Sequence, residues 1–265
     1  MNTLASAIAS LTKDIALSSA DIKRKFNSAV IVAAGNGTRM GGEKTKQMTE
    51  LDGIPVVVRT IQQFEACPFI NEIIVVARED EVGQYETFRR GYGFKKLKSV
   101  VVGGDTRQQS VMQGLNAISD KADFIAIHDG ARCLVTPEMI EKVLREAAVH
   151  GCATAAERPK DTIKRAGTNG YIEETIDRDK LWHAQTPQIF KTDIYRAAAY
   201  IAKENGTLAT DDNMLVEALG FKIKLVDCGY ENLKLTTPDD FFLASAILKL
   251  REMRAANESG EAAAV

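Results

Sequence analysis

The sequence predicts an α/β fold built on a doubly wound, mostly parallel sheet. Short apolar runs typical of buried strands alternate with longer segments of helical periodicity between residues 29 and 156. Polar loops follow the apolar runs after residues 34, 104 and 128. Because ligands of open α/β sheets bind at the carboxyl ends of the strands, we expect these loops to form one site.

Strands and helices are predicted in turn, with one interruption. The predicted strands comprise residues 29–34, 72–77, 99–104, 123–130, 152–156 and 221–228. The predicted helices comprise residues 54–66, 79–91, 107–118, 136–151, 192–204 and 211–219, and a last helix begins at residue 238. The helix over 136–151 has the clearest limits, since Thr136 is a preferred N-cap, Pro137 suits the first turn and Gly151 ends it.

The interruption predicts an extended β-hairpin arm over about residues 157–184, where short alternating stretches surround the turn sequence GTNG. The arm is inserted in a domain comprising residues 28–252, and it could contact a second subunit. Residues 1–27 are predicted to be a weakly amphipathic N-terminal extension. Residues 253–265 are predicted to be a disordered tail.

Composition favours an ordinary soluble protein. Hydrophobic residues make up 45% of the 265 positions, charged residues 26%, and the formal net charge of −2 does not suggest a nucleic-acid partner. The four cysteines form no CxxC pair, which indicates reduced thiols in a cytoplasmic protein, and the three histidines show no zinc-ligand spacing with them. No stretch approaches the roughly 20 apolar residues of a membrane span.

The glycine-rich loop in VIVAAGNGTRMGGEKTKQ is predicted to bind phosphate. Backbone amides from Gly35 onward can approach a triphosphate closely, Arg39 can donate two hydrogen bonds to phosphate oxygens, and Lys46 can add positive charge. Two common phosphate loops are excluded. The glycines read GxGxxxG instead of GxGxxG, and Glu43 stands where a Walker loop requires lysine.

The other two loops carry a second set of polar residues. In GGDTRQQS, residues 103–110, Asp105 could cap the next helix and Ser110 could reach a base or sugar. In HDGAR, residues 128–132, Asp129 ends a strand where Mg²⁺ or a substrate hydroxyl would be held, unless it caps the next turn. We expect His128 to be a hydrogen-bonded core histidine.

Seven segments together resemble the 2-C-methyl-D-erythritol 4-phosphate cytidylyltransferase family over about residues 28–250. They read, in order, AAGxGxRM…KQ, GGDxRxxSV, HDxAR, DTIKR, DRxxLWxAQTPQ, TDD and NxKxTxPxD. The resemblance implies a Rossmann-like nucleotidyltransferase that moves CMP from CTP to 2-C-methyl-D-erythritol 4-phosphate in non-mevalonate isoprenoid synthesis. It also implies Mg²⁺ and a homodimer in which each arm reaches the partner's active site.

The resemblance implies a role for each matching residue. Arg39 and Lys46 match the pair that stabilises the transition state, and Asp129 also matches a metal contact. The positions that match CTP contacts are Ala33, Ala34, Gly35, Gly104, Asp105, Ser110 and Asp129. The positions that match contacts to the sugar phosphate are Arg132, Thr162, Arg178, Thr186, Thr210 and Lys234. The chain departs from the family at Gly130, Cys133, Asn213 and Met214, where alanine, proline and smaller residues are usual.

Three alternatives remain open at this point. A ribitol-5-phosphate cytidylyltransferase shares the nucleotide motifs, although the DRDKLWHAQTPQ segment favours the methylerythritol enzymes. A nicotinamide-dependent dehydrogenase would need GxGxxG and an acid at the end of the second strand, where Arg78 stands first. A catalytically inactive nucleotide-binding module would be expected to lack Lys46 or Asp129, and both are present.

Overall fold

The computed structural model describes residues 19–35 and 45–262 and centres on a seven-stranded sheet. The strands stand in the order β11-β7-β10-β6-β1-β4-β5. They are β1 Asn27–Val32, β4 Glu72–Ala77, β5 Leu97–Val102, β6 Phe124–Asp129, β7 Cys152–Glu157, β10 His183–Lys191 and β11 Lys224–Asp227. Only β10 runs antiparallel to its neighbours, so the prediction of a mostly parallel sheet is confirmed.

Helices cover both faces of this sheet. They are α1 Ser19–Arg24, α2 Val56–Ala66, α3 Val82–Gly91, α4 Arg107–Ala117, α5 Pro137–His150, α6 Thr192–Glu204, α7 Asp212–Glu217 and α8 Pro238–Ala262. Two small antiparallel pairs lie outside the main sheet, namely β2 Glu50–Leu51 with β3 Ile54–Pro55, and β8 Ile163–Ala166 with β9 Ile172–Ile176. Two short 3-10 helices, Glu79–Glu81 and Arg178–Lys180, complete the described elements.

The hydrophobic core has one layer on each side of the sheet. Along β1, Ala29 and Ile31 pack with α2 and α5, whereas Val30 packs on the opposite face with α4 and α6. Successive side chains of a strand point to opposite faces, so a fully buried strand is apolar at every position. The continuous apolar runs of the sequence therefore correspond to strands covered by helices on both sides.

Strand β10 is the main element that the sequence does not predict. It carries Pro187 in its interior, and the pairing with β7 shifts register between Ala184 and Gln188. A proline argues against a central strand because it cannot donate to the ladder. Here the register shift accommodates it, and β10 lies between β6 and β7, close to the carboxyl end of β6.

The predicted limits of the domain change at both ends. Helix α1 places Ile22 in the core and Lys25 pairs with Asp123 at 2.9 Å, so the domain begins before residue 28. Helix α8 runs to Ala262, so the predicted disordered tail is helical over residues 253–262. Alanine and glutamate, which supply five of these ten residues, are strong helix formers. Residues 1–18 lie outside the described residues.

The arm is confirmed as a β-hairpin that projects from the sheet. Strands β8 and β9 pair with each other and with no strand of the main sheet. Near its tip, Tyr171 is 75% exposed and Ile172 is 65% exposed. The hairpin therefore presents apolar side chains that the described part of its own chain does not cover.

Candidate active site

A cavity of about 640 Å³ opens at the carboxyl ends of β1, β4, β5 and β6. The predicted site residues that line it are Ala34, Gly35, Lys46, Gly104, Asp105, Ser110, Asp129 and Lys234. The three polar loops therefore converge, as expected for loops at one edge of a sheet. Arg39 lies outside the described residues.

Glycine at position 103 allows the first two loops to meet. A Cβ atom there would lie 2.4 Å from the Cβ of Ala34 and 2.8 Å from the Oγ of Ser110, closer than such atoms pack. The amide of Gly104 donates to the Ser110 Oγ at 3.1 Å, and this hydroxyl in turn donates to the carbonyl of Thr106 at 2.9 Å. Ser110 thus holds the second loop closed where it borders the cavity.

The prediction that Asp105 caps helix α4 is wrong. Thr106 is the N-cap, and its hydroxyl accepts from the amide of Gln109 while the Gln109 side chain accepts from the Thr106 amide. This reciprocal pair is a capping box, which satisfies two backbone donors at the start of the helix. Since Thr106 performs the capping, the Asp105 side chain remains at the wall of the cavity.

Asp129 lies at the floor of the cavity among three cations. Its Oδ1 is 3.3 Å from Arg107 Nε, and its Oδ2 is 2.8 Å from Lys234 Nζ and 3.8 Å from Arg132 Nε. Burial by itself raises the pKa of this carboxyl, but the charges of Arg107 and Lys234 outweigh it and hold the pKa below its usual range. The carboxylate is therefore ionised, and it faces cations and does not cap the next turn.

His128 is a fully buried, hydrogen-bonded histidine, as expected. Its Nε2 lies 3.1 Å from the carbonyl of Arg132 and must donate, so Nδ1 accepts from the Thr186 hydroxyl at 3.1 Å. That hydroxyl also accepts from the amide of Asp129 at 3.1 Å. Burial lowers the pKa of His128 to about 3, so the ring is neutral and its contribution is to fix Thr186 and the backbone at Asp129.

Six predicted substrate contacts do not line the cavity within the described part of one chain, namely Ala33, Arg132, Thr162, Arg178, Thr186 and Thr210. Thr162 and Arg178 lie on the arm, where Arg178 donates to the carbonyl of Lys160 at 2.7 Å. Thr210 is exposed, and its hydroxyl contacts the sulfur of Met214 at 3.0 Å. Ala33 is fully buried behind the wall that Ala34 and Gly35 form.

Arg132 and Thr186 act from just below the cavity floor. The Arg132 side chain is 13% exposed, and its Nη1 donates to the carbonyl of Asn232 at 2.8 Å. Asn232 is fully buried and donates to the carbonyl of Thr186 at 2.9 Å. These contacts tie the loop that carries Lys234 to β10 and to the end of β6.

Sequence reasoning missed Arg107 and its buried partner. Arg107 begins helix α4, lines the cavity and donates to Asp212 at 2.7 Å in addition to its contact with Asp129. The sequence feature that could have identified Arg107 is its position as a charged residue within the polar loop GGDTRQQS. Nothing in the sequence links it to Asp212, which lies 105 positions further along.

Cys133 is no reactive thiol of the site. It packs with Leu134 and Leu235 and is 3% exposed, and burial raises the pKa of its thiol to about 12.

Gly130 packs tightly, since a Cβ there would lie 3.1 Å from the carbonyl oxygen of Val32. In the part of the chain that the structure describes, no three His, Cys, Asp or Glu side chains form a metal-ligand cluster.

Known proteins resemble this chain over nearly the whole described domain. The profile of the 2-C-methyl-D-erythritol 4-phosphate cytidylyltransferase family matches residues 28–250. The enzyme of that name from Clostridium acetobutylicum is 46% identical over 227 residues, which are 84% of this chain and 98% of the relative. The one from Pelotomaculum thermopropionicum is 41% identical over 88% of this chain and 98% of its own length.

Solved structures agree with the sequence relatives. The 4-diphosphocytidyl-2C-methyl-D-erythritol synthase of Anaerococcus prevotii superposes with a TM-score of 0.78 at 31% identity, covering 88% of this chain and 100% of that one. The 2-C-methyl-D-erythritol 4-phosphate cytidylyltransferase of Thermus thermophilus superposes with a TM-score of 0.67 at 27% identity, covering 83% and 98%. The fold, the cavity at its sheet edge and these matches together place the chain in the 2-C-methyl-D-erythritol 4-phosphate cytidylyltransferase family.

Proposed function

We propose that this cavity binds CTP and that the chain, a CTP-dependent nucleotidyltransferase, transfers CMP to 2-C-methyl-D-erythritol 4-phosphate. The products are 4-diphosphocytidyl-2-C-methyl-D-erythritol and pyrophosphate. The observation that carries the proposal is the convergence of Lys46, Lys234 and Arg107 on a cavity whose other wall is bare backbone at Gly35 and Gly104. The acceptor is supported by the relatives, which are named for that substrate.

The reaction requires little proton transfer to or from the protein. The nucleophile is a phosphate oxygen of the acceptor, which is anionic near neutral pH because the second pKa of a phosphate ester is about 6. It attacks the α-phosphorus of CTP in line, and pyrophosphate leaves. No general base is needed, which agrees with a His128 that is buried, neutral and hydrogen-bonded on both sides. Positioning and charge stabilisation carry such transfers.

The cations and the backbone have separate roles in substrate binding and charge stabilisation. Lys46 and Arg39 stabilise charge as it develops on the triphosphate, and Lys234 holds the phosphate of the acceptor. The backbone of residues 34–35 and 104–105 forms part of the cavity wall. Its amides and carbonyls are suited to reading the polar edge of cytosine, which is the basis for choosing CTP among nucleotides.

Asp129 fits a role at a magnesium ion. Mg²⁺ in phosphate-handling sites is held by one or two carboxylates together with substrate phosphates, and Asp129 supplies one carboxylate at the cavity floor. Its low pKa keeps it ionised, as a ligand must be. When bound, Mg²⁺ would neutralise part of the triphosphate charge. Lys46, Lys234 and Asp129 would then orient the two polyanions around it.

The arm supports a homodimer in which each subunit completes the partner's site. Thr162 and Arg178 match contacts to the sugar phosphate, yet both lie away from the cavity of their own chain. The hairpin also exposes Tyr171 and Ile172 near its tip, as a surface that meets another subunit would.

The cytoplasm is the proposed compartment. The four cysteines are free thiols and all are buried, as expected for a protein of a reducing environment. Among the helices of residues 19–35 and 45–262, none is both long and apolar enough to span a membrane.

Pyrophosphate release from CTP and Mg²⁺ with each of two acceptors tests the proposed substrate. We expect turnover with 2-C-methyl-D-erythritol 4-phosphate and little or none with ribitol 5-phosphate. Turnover with ribitol 5-phosphate alone would agree with the proposed use of CTP but would contradict the proposed acceptor. The absence of turnover with both, in folded protein that binds CTP, would indicate a nucleotide-binding module.

A further inference from the structure

Asp129 lies between two cations that differ in how firmly they are held. Arg107 contacts one carboxylate oxygen at 3.3 Å, and Lys234 contacts the other at 2.8 Å. Both cations line the cavity. A carboxylate that is 8% exposed needs a counter-ion at all times, because an unpaired buried charge is strongly unfavourable.

Arg107 is fixed from behind by a second buried carboxylate. Its Nη1 donates to Asp212 Oδ2 at 2.7 Å, and Asp212 Oδ1 accepts from the Tyr195 hydroxyl at 2.6 Å. Asp212 and Tyr195 are each 1% exposed. Among the described residues Arg107 is the cation that pairs with Asp212, so its departure would leave this buried carboxylate without a counter-ion, and Arg107 therefore remains beside Asp129.

Within residues 19–35 and 45–262, Lys234 has no comparable anchor for its side chain. It extends from the loop between β11 and α8, its side chain is 36% exposed, and the contact with Asp129 holds the ammonium group. A lysine side chain is a flexible stem with a point charge that can turn from one anion to another. Arg132, the third cation, is only 13% exposed and is fixed by the carbonyl of Asn232.

On the basis of the proposed function, we propose that Arg107 is a positioning residue that releases Lys234 for the acceptor. Arg107 remains the counter-ion of Asp129, held in place by Asp212 and Tyr195, while Lys234 turns from Asp129 to the phosphate of the sugar substrate. Without Arg107, Asp129 would hold Lys234 more tightly, and the acceptor phosphate would compete with a buried carboxylate for the same ammonium group.

A pair of variants that both carry asparagine at position 212 tests whether Arg107 releases Lys234. Asp212→Asn serves as the reference, and Arg107→Gln is added to it, so that neither variant buries Asp212 as an unpaired carboxylate. Compared with the reference, we expect the KM for 2-C-methyl-D-erythritol 4-phosphate to rise about tenfold, because one charge-assisted contact is worth about that factor. The KM for CTP should change by less than about threefold by the same reasoning.

A double-mutant cycle with Lys234→Ala shows whether the effect passes through Lys234. When Lys234 is absent, adding Arg107→Gln to the Asp212→Asn background should not raise the acceptor KM further. Arg107→Lys in that background retains the charge and should restore most of the acceptor affinity. Asp193→Asn, an exposed aspartate on the neighbouring helix α6, is the control for the substitution at Asp212.

Two results would overturn the proposal while leaving the proposed function intact. One is a KM for CTP that rises as much as the KM for the acceptor, which would make Arg107 a direct CTP ligand. The other is a set of fold-changes for Arg107→Gln and Lys234→Ala that simply multiply. A wild-type protein that fails to use the acceptor at all would instead contradict the proposed function.

Discussion

Single residues of the site show which features a sequence reveals. Asp129 could be predicted because an acid that directly follows a buried apolar strand must lie at the sheet edge. The role of Arg107 could not, because it depends on Asp212 and Tyr195, which the fold brings from distant parts of the chain. The local sequence pattern identifies which residue lies at the end of a strand. Ion pairs between residues far apart in the sequence can be identified only from the tertiary structure.

Glu81 is a buried carboxyl that sets the geometry next to Lys46. Its Oε1 accepts from the hydroxyl of Thr45 at 2.6 Å, and its Oε2 has no hydrogen-bond partner among the described residues. Burial raises its pKa above the ordinary value of 4.5, an effect that the hydrogen bond from Thr45 and the charge of Arg78 only partly oppose. Since the folded state holds this proton more tightly, the contribution of Glu81 to stability falls as pH rises through its elevated folded-state pKa.

Glu81→Gln should therefore stabilise the protein more at pH 8 than at pH 4. Glutamine still accepts the Thr45 hydrogen bond but never carries the buried charge. Thermal unfolding at the two pH values measures the difference in Tm between variant and wild type, and Glu252→Gln on exposed helix α8 is the matched control. An equal difference in Tm at both pH values would contradict the raised pKa of Glu81.

At the scale of elements, close packing between loops shapes the cavity. The sequence predicted most strands and helices to within two residues of their ends, because helices on both faces make the buried strands continuously apolar. Strand β10 was missed because Pro187 and a register shift interrupt its pattern. Its position matters for function, since Thr186 on β10 holds the amide of Asp129.

Gly103→Ala should separate the two loops that are proposed to bind the nucleotide. The added methyl group would overlap the Cβ of Ala34 and the Oγ of Ser110, so we expect a stability loss of about 1–3 kcal/mol. The KM for CTP should rise as well, since both loops line the cavity. Chemical denaturation and steady-state kinetics measure the two effects.

Gly83→Ala is the control for this substitution. Gly83 lies in helix α3 with nothing within 4 Å of an added Cβ, so alanine should leave activity unchanged and stability equal or slightly higher. If Gly103→Ala behaved like Gly83→Ala, the tight contact between the loops would not be what forms the cavity.

At the scale of the whole molecule, the proposed exchange of arms would mean that one chain does not suffice for activity. The sequence predicts a hairpin because the alternation of strands and helices is interrupted around GTNG. The direction in which the hairpin projects could not be predicted, because an exposed hairpin makes few contacts with its own chain. The structure leaves Arg178 on the arm, beside Lys160 and Tyr230, in a second cavity of about 530 Å³. A partner subunit would bring that arginine to the site that it is proposed to serve.

Mixing two inactive variants tests the exchange of arms. A Lys46→Ala subunit supplies an intact arm, and an Arg178→Ala subunit supplies an intact cavity, so a mixed dimer contains one complete site. We expect the mixture, after dissociation and reassociation, to regain activity that neither variant has alone at low acceptor concentration. Activity no greater than the mean of the two separate variants would show that each arm serves its own chain or none.

The central claim is that Lys46 and the cavity around it transfer CMP from CTP, and pyrophosphate release by Lys46→Ala tests it most directly. With 2-C-methyl-D-erythritol 4-phosphate as acceptor, kcat should fall by about 10²-fold or more. Enzymes lose about this much when one preorganised hydrogen-bond donor to the developing negative charge is removed. Lys249→Ala, on the exposed face of helix α8, should behave like the wild type. A kcat for Lys46→Ala close to that of the wild type would contradict the assignment of this cavity as the active site.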